Sequence, residues 1–375
     1  MYRYFYRALF FILLAQLYDE AKVFSIIVRS DPKCRPIKGP EACEDIEIHH
    51  KSGLAFMACG SENGRRTQWW PPLGSVNTTV QPLETPWIYN LETEEIFPLK
   101  LKDFPKDTDV SLHGLSLYID PSNSNKVTVF LINHRRSGSV VEILDHTIGT
   151  KELIYRKTVS SELIVTPNDL VAVSADEFYV TNDHRYTYKQ EKEREFEIAT
   201  RRLWTNVIFH AKNGTDFVAA EGISLGNGIV ANWNYSRFYV NSGGTTETII
   251  YTRLDNNLLF ETERVHIGIP TDNLSVDEVT GEVYTPGFPD LPALIKYLQD
   301  PKSPAPDLIV KISNVTKKAD SRIGSNYQVT KVLDSDGKEF TAISIAAVDR
   351  KRDALLLGSF VSKGITRCKL SALGS

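Results

Sequence analysis

The sequence predicts an all-β fold, a six-bladed β-propeller, on three observations. One pattern, a polar pair followed by an alternating apolar run, a turn and a second apolar run, occurs six times, beginning at Glu44, His113, Asn168, Asn227, Asp272 and Ile343. The copies are about 60 residues apart, which is the spacing of propeller blades that carry added loops. Strand-like segments such as SVVEILDH and TETIIYTRL fill the sequence between the copies, and helical periodicity is sparse.

Composition limits the class of protein. The chain has 375 residues, of which 42% are hydrophobic and 24% charged, so it can build a large core and is not a disordered chain. The net charge is −4 and no concentrated basic patch occurs, so we expect no nucleic-acid partner. We expect a leader over residues 1–22 and a single propeller domain over residues 23–375.

The leader has the features of a secretory signal. Arg3 and Arg7 precede an apolar run from Ala8 to Ala15, which is shorter than the roughly 20 residues that span a bilayer. No clear cleavage site follows, so we expect a signal peptide or an uncleaved hydrophobic segment with weak membrane association, with a buried helix as the alternative. The protein is therefore expected to be secreted or extracellular, with glycosylation sequons at Asn77, Asn213, Asn234 and Asn314.

Three segments between the strands have distinct predictions. Residues 189–204, KQEKEREFEIATRRLW, are strongly charged and predict a solvated surface helix or flap. Residues 292–300, PALIKYLQD, predict a second helix. Residues 62–86, which include Trp69-Trp70-Pro71-Pro72, predict a long loop.

The four cysteines suggest how the ring is closed. Cys34 precedes the first repeat and Cys368 ends the last, so a disulfide between them would join the first and last blades. The alternative is four unrelated buried thiols. Cys43 and Cys59 belong to the two neighbouring strands of the first repeat, where they could pair or stay reduced.

The polar pairs that open five repeats predict a cation site. The first strand of each propeller blade lines the central axis, so these pairs should converge in one channel, although a single Asp or Asn usually serves only as a turn or cap former. Crowded carboxylates repel one another unless a cation neutralises them, and oxygen ligands without thiolates suit Ca²⁺. The pairs are Glu44-Asp45, His113-Gly114, Asn168-Asp169, Asn227-Gly228 and Asp272-Asn273. Asn273 also begins a formal sequon, which we expect to be unmodified because its side chain would face the axis.

Two histidines accompany the pairs. His113 opens the second repeat and His134 ends the second strand of that repeat, much as His184 does in the third. A histidine beside a metal can bind it or accept a proton from water. Residues 222–226, GISLG, and the segment GNGIVA are not a nucleophile elbow or a dinucleotide motif, because strands rather than helices follow them.

These motifs together resemble those of the paraoxonase/arylesterase family. The resemblance covers nearly the whole chain after the leader, in order and at similar spacing. The segments that carry it are Glu44-Asp45, His113-Gly114-Leu115-Ser116, Asn133-His134, Asn168-Asp169-Leu170-Val171-Ala172-Val173, Thr181-Asn182-Asp183-His184, Glu221-Gly222, Asn227-Gly228 and Asp272-Asn273-Leu274-Ser275-Val276-Asp277.

The resemblance implies a calcium-dependent hydrolase of small lactones and aryl esters with two calcium ions in the channel. It implies a catalytic ion held by Glu44, Asn168, Asn227, Asp272 and Asn273. It implies a structural ion held by Asp45, Asp169 and the backbone carbonyl of Leu115. His113 and His134 match the family's catalytic pair, and Cys34 with Cys368 matches its disulfide.

The resemblance also has departures, and two other functions remain as alternatives. The family's apolar active-site helix aligns with the charged residues 189–204, and a histidine of the family's active-site wall aligns near Phe288, which argues against lipoprotein association. A non-catalytic calcium-stabilised binding module would need neither His113 nor His134. A gluconolactonase-like sugar lactonase would share the cation site, and its polar substrate would suit the charged segment.

Overall fold

The computed structural model describes residues 34–60, 65–315 and 326–373. The predicted leader, residues 1–22, and the predicted start of the domain at residue 23 lie outside the described residues. Within the described ranges, no helix is long and apolar enough to cross a membrane.

Strands make up most of the regular structure, as the repeats predict. In chain order they are β1 (Cys34–His49), β2 (Leu54–Gly60), β3 (Trp69–Trp70), β4 (Ser75–Val76), β5 (Thr85–Asn90), β6 (Ile96–Pro98), β7 (Lys100–Lys102), β8 (Leu112–Ile119), β9 (Lys126–Arg135), β10 (Gly138–Thr147), β11 (Glu152–Val159), β12 (Pro167–Ala172), β13 (Phe178–Asn182), β14 (Thr205–His210), β15 (Asp216–Ile223), β16 (Gly226–Ala231), β17 (Arg237–Ser242), β18 (Glu247–Arg253), β19 (Leu259–His266), β20 (Ser275–Val276), β21 (Val283–Gly287), β22 (Asp307–Asn314), β23 (Tyr327–Ser335), β24 (Ile343–Asp349), β25 (Ala354–Ser359) and β26 (Lys363–Lys369). The α-helices of the described chain are α1 (Arg65–Gln68), α2 (Glu191–Thr200) and α3 (Leu291–Gln299).

The described strands form the predicted propeller. Four blades follow the chain directly, from β8 to β11, β12 to β15, β16 to β19 and β20 to β23. Within each blade the neighbouring strands are antiparallel, and β7 adds a parallel edge strand beside β11 in the first. The other two blades share a seven-stranded sheet in the order β24-β25-β26-β1-β2-β5-β6. Strand β1 belongs to both blades, because its first residues pair with β26 and its last residues pair with β2.

Ring closure therefore has two components. Cys34 lies opposite Cys368 in the antiparallel pairing of β1 with β26, and the two cysteines form a disulfide, which confirms the prediction. Cys43 lies opposite Cys59 and forms the second disulfide, so the alternative of four unrelated thiols is wrong. Backbone hydrogen bonds between the first and last strands close the ring together with the Cys34–Cys368 bond.

The innermost strands share an irregularity that the sequence pattern did not predict. Four of them shift register at the point where the polar pair lies, and a bulge of this kind re-aims side chains and frees backbone N–H groups. The shifts fall between Cys43 and Asp45 on β1, Leu112 and Leu115 on β8, Pro167 and Leu170 on β12, and Gly226 and Ile229 on β16. The bulges thus place the polar pairs at the contacts between blades.

Two glycines allow these strands to approach one another. A Cβ atom at Gly114 would lie 2.6 Å from the carbonyl oxygen of Asn168, and one at Gly228 would lie 2.5 Å from the Cα atom of Asn273. Both obstacles are backbone atoms, which cannot rotate away as a flexible side chain could. Glycine after His113 and after Asn227 is therefore required for the packing of the channel.

The segments between strands are more ordered than predicted. Both predicted helices are confirmed, the first with narrower bounds and the second shifted by one residue toward the N-terminus. The Asp290 side chain caps α3 by accepting a hydrogen bond of 2.8 Å from the Ala293 N–H. The predicted loop over residues 62–86 contains α1 and the short hairpin of β3 and β4, so that prediction is wrong where the segment is described. Trp69 and Trp70 are buried and hold this hairpin against the end of the channel.

The two disulfides offer a matched pair of variants that tests the closure. The Cys34–Cys368 bond has a sequence separation of 334, so replacing both cysteines by alanine should lower the free energy of unfolding by roughly 6 kcal/mol on the chain-entropy model. The Cys43–Cys59 bond has a separation of 16, and its removal should cost roughly 3 kcal/mol. Urea unfolding measures both losses. An equal or smaller loss for the Cys34/Cys368 variant would mean that strand pairing alone closes the ring.

Candidate active site

Most of the residues predicted to hold the first ion meet in the interior of the channel. Glu44, Asn168, Asp272 and Asn273 are all buried, and Asn227 is half-buried. The Asn273 Nδ2 atom donates a hydrogen bond of 2.7 Å to Glu44 Oε1, and the Asn227 side chain contacts the carboxyl group of Asp272. Three blades therefore contribute side chains to one small polar volume.

The two aspartates predicted to hold the second ion connect neighbouring blades. Asp45 accepts hydrogen bonds of 2.8 Å from its neighbour Ile46 and from Leu115 on the next inner strand. Asp169 repeats this arrangement with Leu170 at 2.7 Å and Ile229 at 2.8 Å. The N–H of Leu115 thus lies at the predicted site, while the ligand role of its carbonyl group stays a prediction.

Burial and mutual repulsion disfavour ionisation of these carboxyl groups. Burial raises the pKa of Glu44 to about 7, although Arg66 and the hydrogen bond from Asn273 lower it. Burial and the charge of Glu44 raise the pKa of Asp45 to about 8. Burial also raises the pKa values of Asp169 and Asp272 well above the ordinary range, helped by Asp45 and Glu44 respectively. A cation among these groups would favour their ionised forms.

Unpartnered oxygen atoms show that the site fits such a cation. Glu44 Oε2, Asn168 Oδ1 and Asn273 Oδ1 are buried and accept no hydrogen bond. A buried oxygen without a partner is costly, and oxygen atoms alone are the ligands of a hard cation such as Ca²⁺. Among the described residues no three His, Cys, Asp or Glu side chains alone form a metal cluster, so asparagine oxygens are needed to complete this one.

The two predicted histidines are in direct contact beside this volume. His113 Nδ1 lies 2.9 Å from His134 Nε2, and His113 Nε2 lies 3.6 Å from Glu44 Oε1. Burial and the charge of Arg66 lower the pKa of His113 to about 3, and burial and His113 lower the pKa of His134 well below its ordinary value. Both rings are therefore neutral near pH 7 and can accept a proton. His184 does not join the pair; it is buried next to Thr166.

Sequence reasoning missed Ser139, which extends the histidine pair. Its Oγ atom lies 2.8 Å from His134 Nδ1, and its partner across the β9–β10 ladder is His134 itself. The close spacing of the two residues around a hairpin turn was the available signal, because directly opposite residues on paired strands come into side-chain contact.

A buried ion pair beneath His113 was also missed. Arg66 donates hydrogen bonds to Glu84 from its Nε and Nη2 atoms at 3.1 and 2.9 Å. Its Nη2 atom also donates to the carbonyl of Leu112 at 2.7 Å. Glu84 accepts the N–H of the same Leu112 at 2.6 Å. The pair therefore fixes the backbone of the residue that precedes His113, at the start of the bulge.

Aromatic rings cover the other side of His113. Trp70 meets the His113 ring edge-on at 4.9 Å and stacks on Phe360 at 6.1 Å, and Phe288 contacts Phe360 at 6.2 Å. Trp69 donates its Nε1–H to the carbonyl of His134 at 2.7 Å. Phe288, near which a histidine of the family's wall is expected to align, thus belongs to an apolar cluster that covers one face of the pair.

The channel also has a cavity at its opposite end. It measures about 310 Å³ and is lined in part by Asp45, Glu47 and Asp169. Burial raises the pKa of Glu47 to about 8. The predicted structural ion would therefore lie between this cavity and the histidine pair.

Comparisons with known proteins place nearly the whole described chain in one family. A model of the arylesterase family matches residues 30–370. The serum paraoxonase/arylesterase 2 of Bos taurus is 29% identical over 337 residues, which cover 89% of this chain and 88% of that protein. The serum paraoxonase/lactonase 3 of Homo sapiens is 28% identical over 329 residues, which cover 85% and 84% respectively.

Solved structures share the fold. A gluconolactonase from Xanthomonas campestris superimposes with a TM-score of 0.50 at 12% identity, covering 91% of this chain and 90% of that one. A luciferin-regenerating enzyme superimposes with a TM-score of 0.51 at 11% identity, covering 92% and 97%. At such identities the likeness concerns the architecture alone.

Replacing one partner of the Arg66–Glu84 pair should destabilise the protein strongly, whereas replacing both should destabilise it little. Arg66→Met leaves the Glu84 carboxylate buried without a counter-ion, so we expect a loss of about 3–5 kcal/mol in the free energy of unfolding. The double variant Arg66→Met/Glu84→Leu should recover most of that loss, because no charge remains buried. Urea unfolding measures each value.

A surface ion pair provides the control. Arg156 bonds Asp145 and Asp176 while partly exposed, and Arg156→Met should cost less than about 1 kcal/mol. If Arg66→Met were no more destabilising than Arg156→Met, the buried pair would not hold the backbone at Leu112.

Proposed function

The chain belongs to the arylesterase family, and on that premise we propose that it is a calcium-dependent hydrolase of lactones and aryl esters. The observation that carries the proposal is the contact of His113 with His134 at 2.9 Å beside three buried, unpartnered oxygen atoms. A proton acceptor and a cation site within one buried volume are the two components that attack on an ester carbonyl requires.

Two groups of residues would hold calcium. Glu44, Asn168, Asn227, Asp272 and Asn273 would bind the catalytic ion, and Asp45, Asp169 and the carbonyl of Leu115 would bind the structural one. When bound at the first group, calcium supplies Lewis-acid chemistry, which polarises an ester carbonyl and stabilises the oxyanion. The oxygen-only donor set and the raised pKa values of Glu44 and Asp45 support this assignment.

The histidines would manage the proton. For His113 to accept a proton from water at Nε2, its Nδ1 must carry hydrogen and donate to His134 Nε2. His134 then donates from Nδ1 to Ser139 Oγ, which fixes its tautomer. This direction of hydrogen bonds stabilises the imidazolium that forms on His113, and the return of the proton to the leaving oxygen restores the starting state.

The rival functions have less support. A binding module without catalysis gives no reason for a buried chain of His113, His134 and Ser139. A sugar lactonase is favoured only by the charge of residues 189–204 and by fold-level likeness to gluconolactonases. Turnover of an aliphatic lactone, an aryl ester and a sugar lactone, each with and without EDTA, separates the three functions.

We also propose that the protein follows the secretory route. The two disulfides suit an oxidising compartment. Asn77, Asn213, Asn234 and Asn314 are exposed and open to glycosylation, whereas Asn273 is buried, as the sequence analysis expects. A shift in mass on treatment with a peptide N-glycosidase would test this route.

Removing calcium should abolish turnover and destabilise the fold. The carboxyl groups at the axis repel one another without a cation. An ion that binds only the folded state stabilises it by about 2.7 kcal/mol when the free ion concentration is 100 times the dissociation constant. Thermal unfolding and aryl-ester turnover are measured in calcium, in EDTA, and in EDTA with calcium restored, with magnesium as the control ion. A melting temperature that does not change on exhaustive chelation would contradict both predicted ion sites.

Substitutions should separate the proton acceptor from the ion ligands. His113→Gln is expected to lower turnover by roughly 10² to 10⁴ while the calcium-dependent rise in melting temperature persists. Asp272→Ala should reduce both together, because it removes a ligand. His146→Gln is the matched control, since His146 is buried in the same blade at the other end of β10. Near wild-type turnover by His113→Gln on a lactone and an aryl ester would move the base role elsewhere, with Asp272 the next candidate.

A further inference from the structure

A cavity beside the histidine pair has an unusual set of cationic residues. It measures about 100 Å³ and its lining includes His134 and Ser139, so it adjoins the proposed site of proton transfer. Arg135, Lys189 and Arg194 also line it, while Asp183 is the single carboxylate in the described lining.

The two arginines are held in fixed positions. Arg135 donates from Nε and Nη2 to Glu142 Oε1, at 3.0 and 2.5 Å, and from Nη2 to Thr158 Oγ1 at 3.0 Å. Its Nη1 atom donates no hydrogen bond to the described residues. Arg194 donates to the carbonyls of Pro71 and Pro72, each at 3.0 Å, which ties α2 to the tryptophan hairpin.

Lys189 is the cation of this lining without a carboxylate partner. It is exposed and lies two residues before α2, with its Nζ atom 5.8 Å from the centre of the Tyr188 ring. Arg135 is paired with Glu142, and Arg194 lies in the field of Asp183 and Glu197. No described carboxylate comes within ion-pairing distance of Lys189, so its charge is available to a ligand.

We propose that the substrate of this enzyme is a lactone that carries a carboxylate, which is bound by Lys189 and by the Nη1 edge of Arg135 while the lactone ring extends past His134, which lines the cavity, toward His113, which His134 contacts. The proposal rests on the proposed hydrolase function and names its substrate class. The guanidinium of Arg135, fixed by its hydrogen bonds to Glu142 and Thr158, is preorganised to bind a carboxylate. The ammonium group of Lys189 adds a second positive charge to the cavity lining.

Two probes of equal size isolate the charge. The probes are γ-butyrolactone-γ-carboxylic acid, which is an anion at neutral pH, and the corresponding carboxamide, which is neutral and of similar size. The ratio of their kcat/KM values, acid over amide, is compared between proteins, so their intrinsic reactivities cancel. Lys189→Gln should lower the ratio by roughly twofold to fivefold, the range expected for an exposed charge pair. Lys189→Glu should lower it by roughly fivefold to twentyfold, because repulsion of the ligand replaces attraction.

Lys192→Glu is the matched control. Lys192 is exposed on α2, three residues further on, and does not line the cavity. Its variant should leave the ratio within about twofold of the wild-type value, because screening weakens a charge that touches no ligand. In the wild-type protein, raising the ionic strength from about 0.01 to about 0.15 M should also lower the ratio.

The outcomes distinguish this proposal from the hydrolase function. If both lactones are hydrolysed and Lys189→Glu leaves the ratio unchanged, or Lys192→Glu lowers it equally, the anion site is wrong while the hydrolase stands. If neither these lactones nor the aryl ester and the aliphatic lactone are hydrolysed, the hydrolase function fails, and binding still decides the anion site. Calorimetry then compares the ring-opened dicarboxylate with its monoamide in the wild-type and Lys189→Glu proteins. Equal binding of both ligands by the wild type would overturn the site, and a preference for the dicarboxylate that Lys189→Glu removes would support it.

Discussion

The burial of four carboxyl groups around one axis constrains the rest of this structure. Glu44, Asp45, Asp169 and Asp272 are buried, so their oxygen atoms need backbone N–H groups, amides or a cation as partners. The register shifts of the inner strands supply the N–H groups, since Leu115 and Ile229 donate across the blade boundary to Asp45 and Asp169. The neighbouring strands must approach closely for these bonds, which is why glycine occupies positions 114 and 228. Irregular backbone in the channel is therefore a consequence of its charge.

The fold was largely predictable because each repeat carries its own strand signal. Inward positions recur every two residues, so apolar alternation identifies strand pairs whatever the length of the loops between them. The double membership of β1 was not predictable, because the pairing of its first residues with β26 joins opposite ends of the chain and leaves no local pattern. Trp69 and Trp70 were assigned to a loop since a strand of two residues is too short to show a period.

The candidate site was predictable for residues that occupy equivalent positions in several repeats, and not for residues that occur once. Glu44, Asn168 and Asn227 occupy equivalent places in three repeats, and that shared position distinguishes a ligand from an ordinary turn residue. Arg66 and Glu84 occur once each, and nothing in the sequence separates a buried ion pair from two surface charges. Their burial follows from tertiary contacts with Leu112, which only the assembled ring brings together.

The channel and its wall are subject to different physical constraints. Asp45 and Asp169 each fix the backbone of a neighbouring blade, so a change at either residue disturbs folding as well as ion binding. Helix α2 lies outside the four-stranded blades, and Arg194 reaches the tryptophan hairpin only through backbone carbonyls. A change of charge at Lys189 therefore alters the field near His134 without breaking a strand pair. In this architecture the residues that would hold the ions are coupled to stability, whereas those that would select the substrate are free to vary, and substrate preference can change while the channel stays the same.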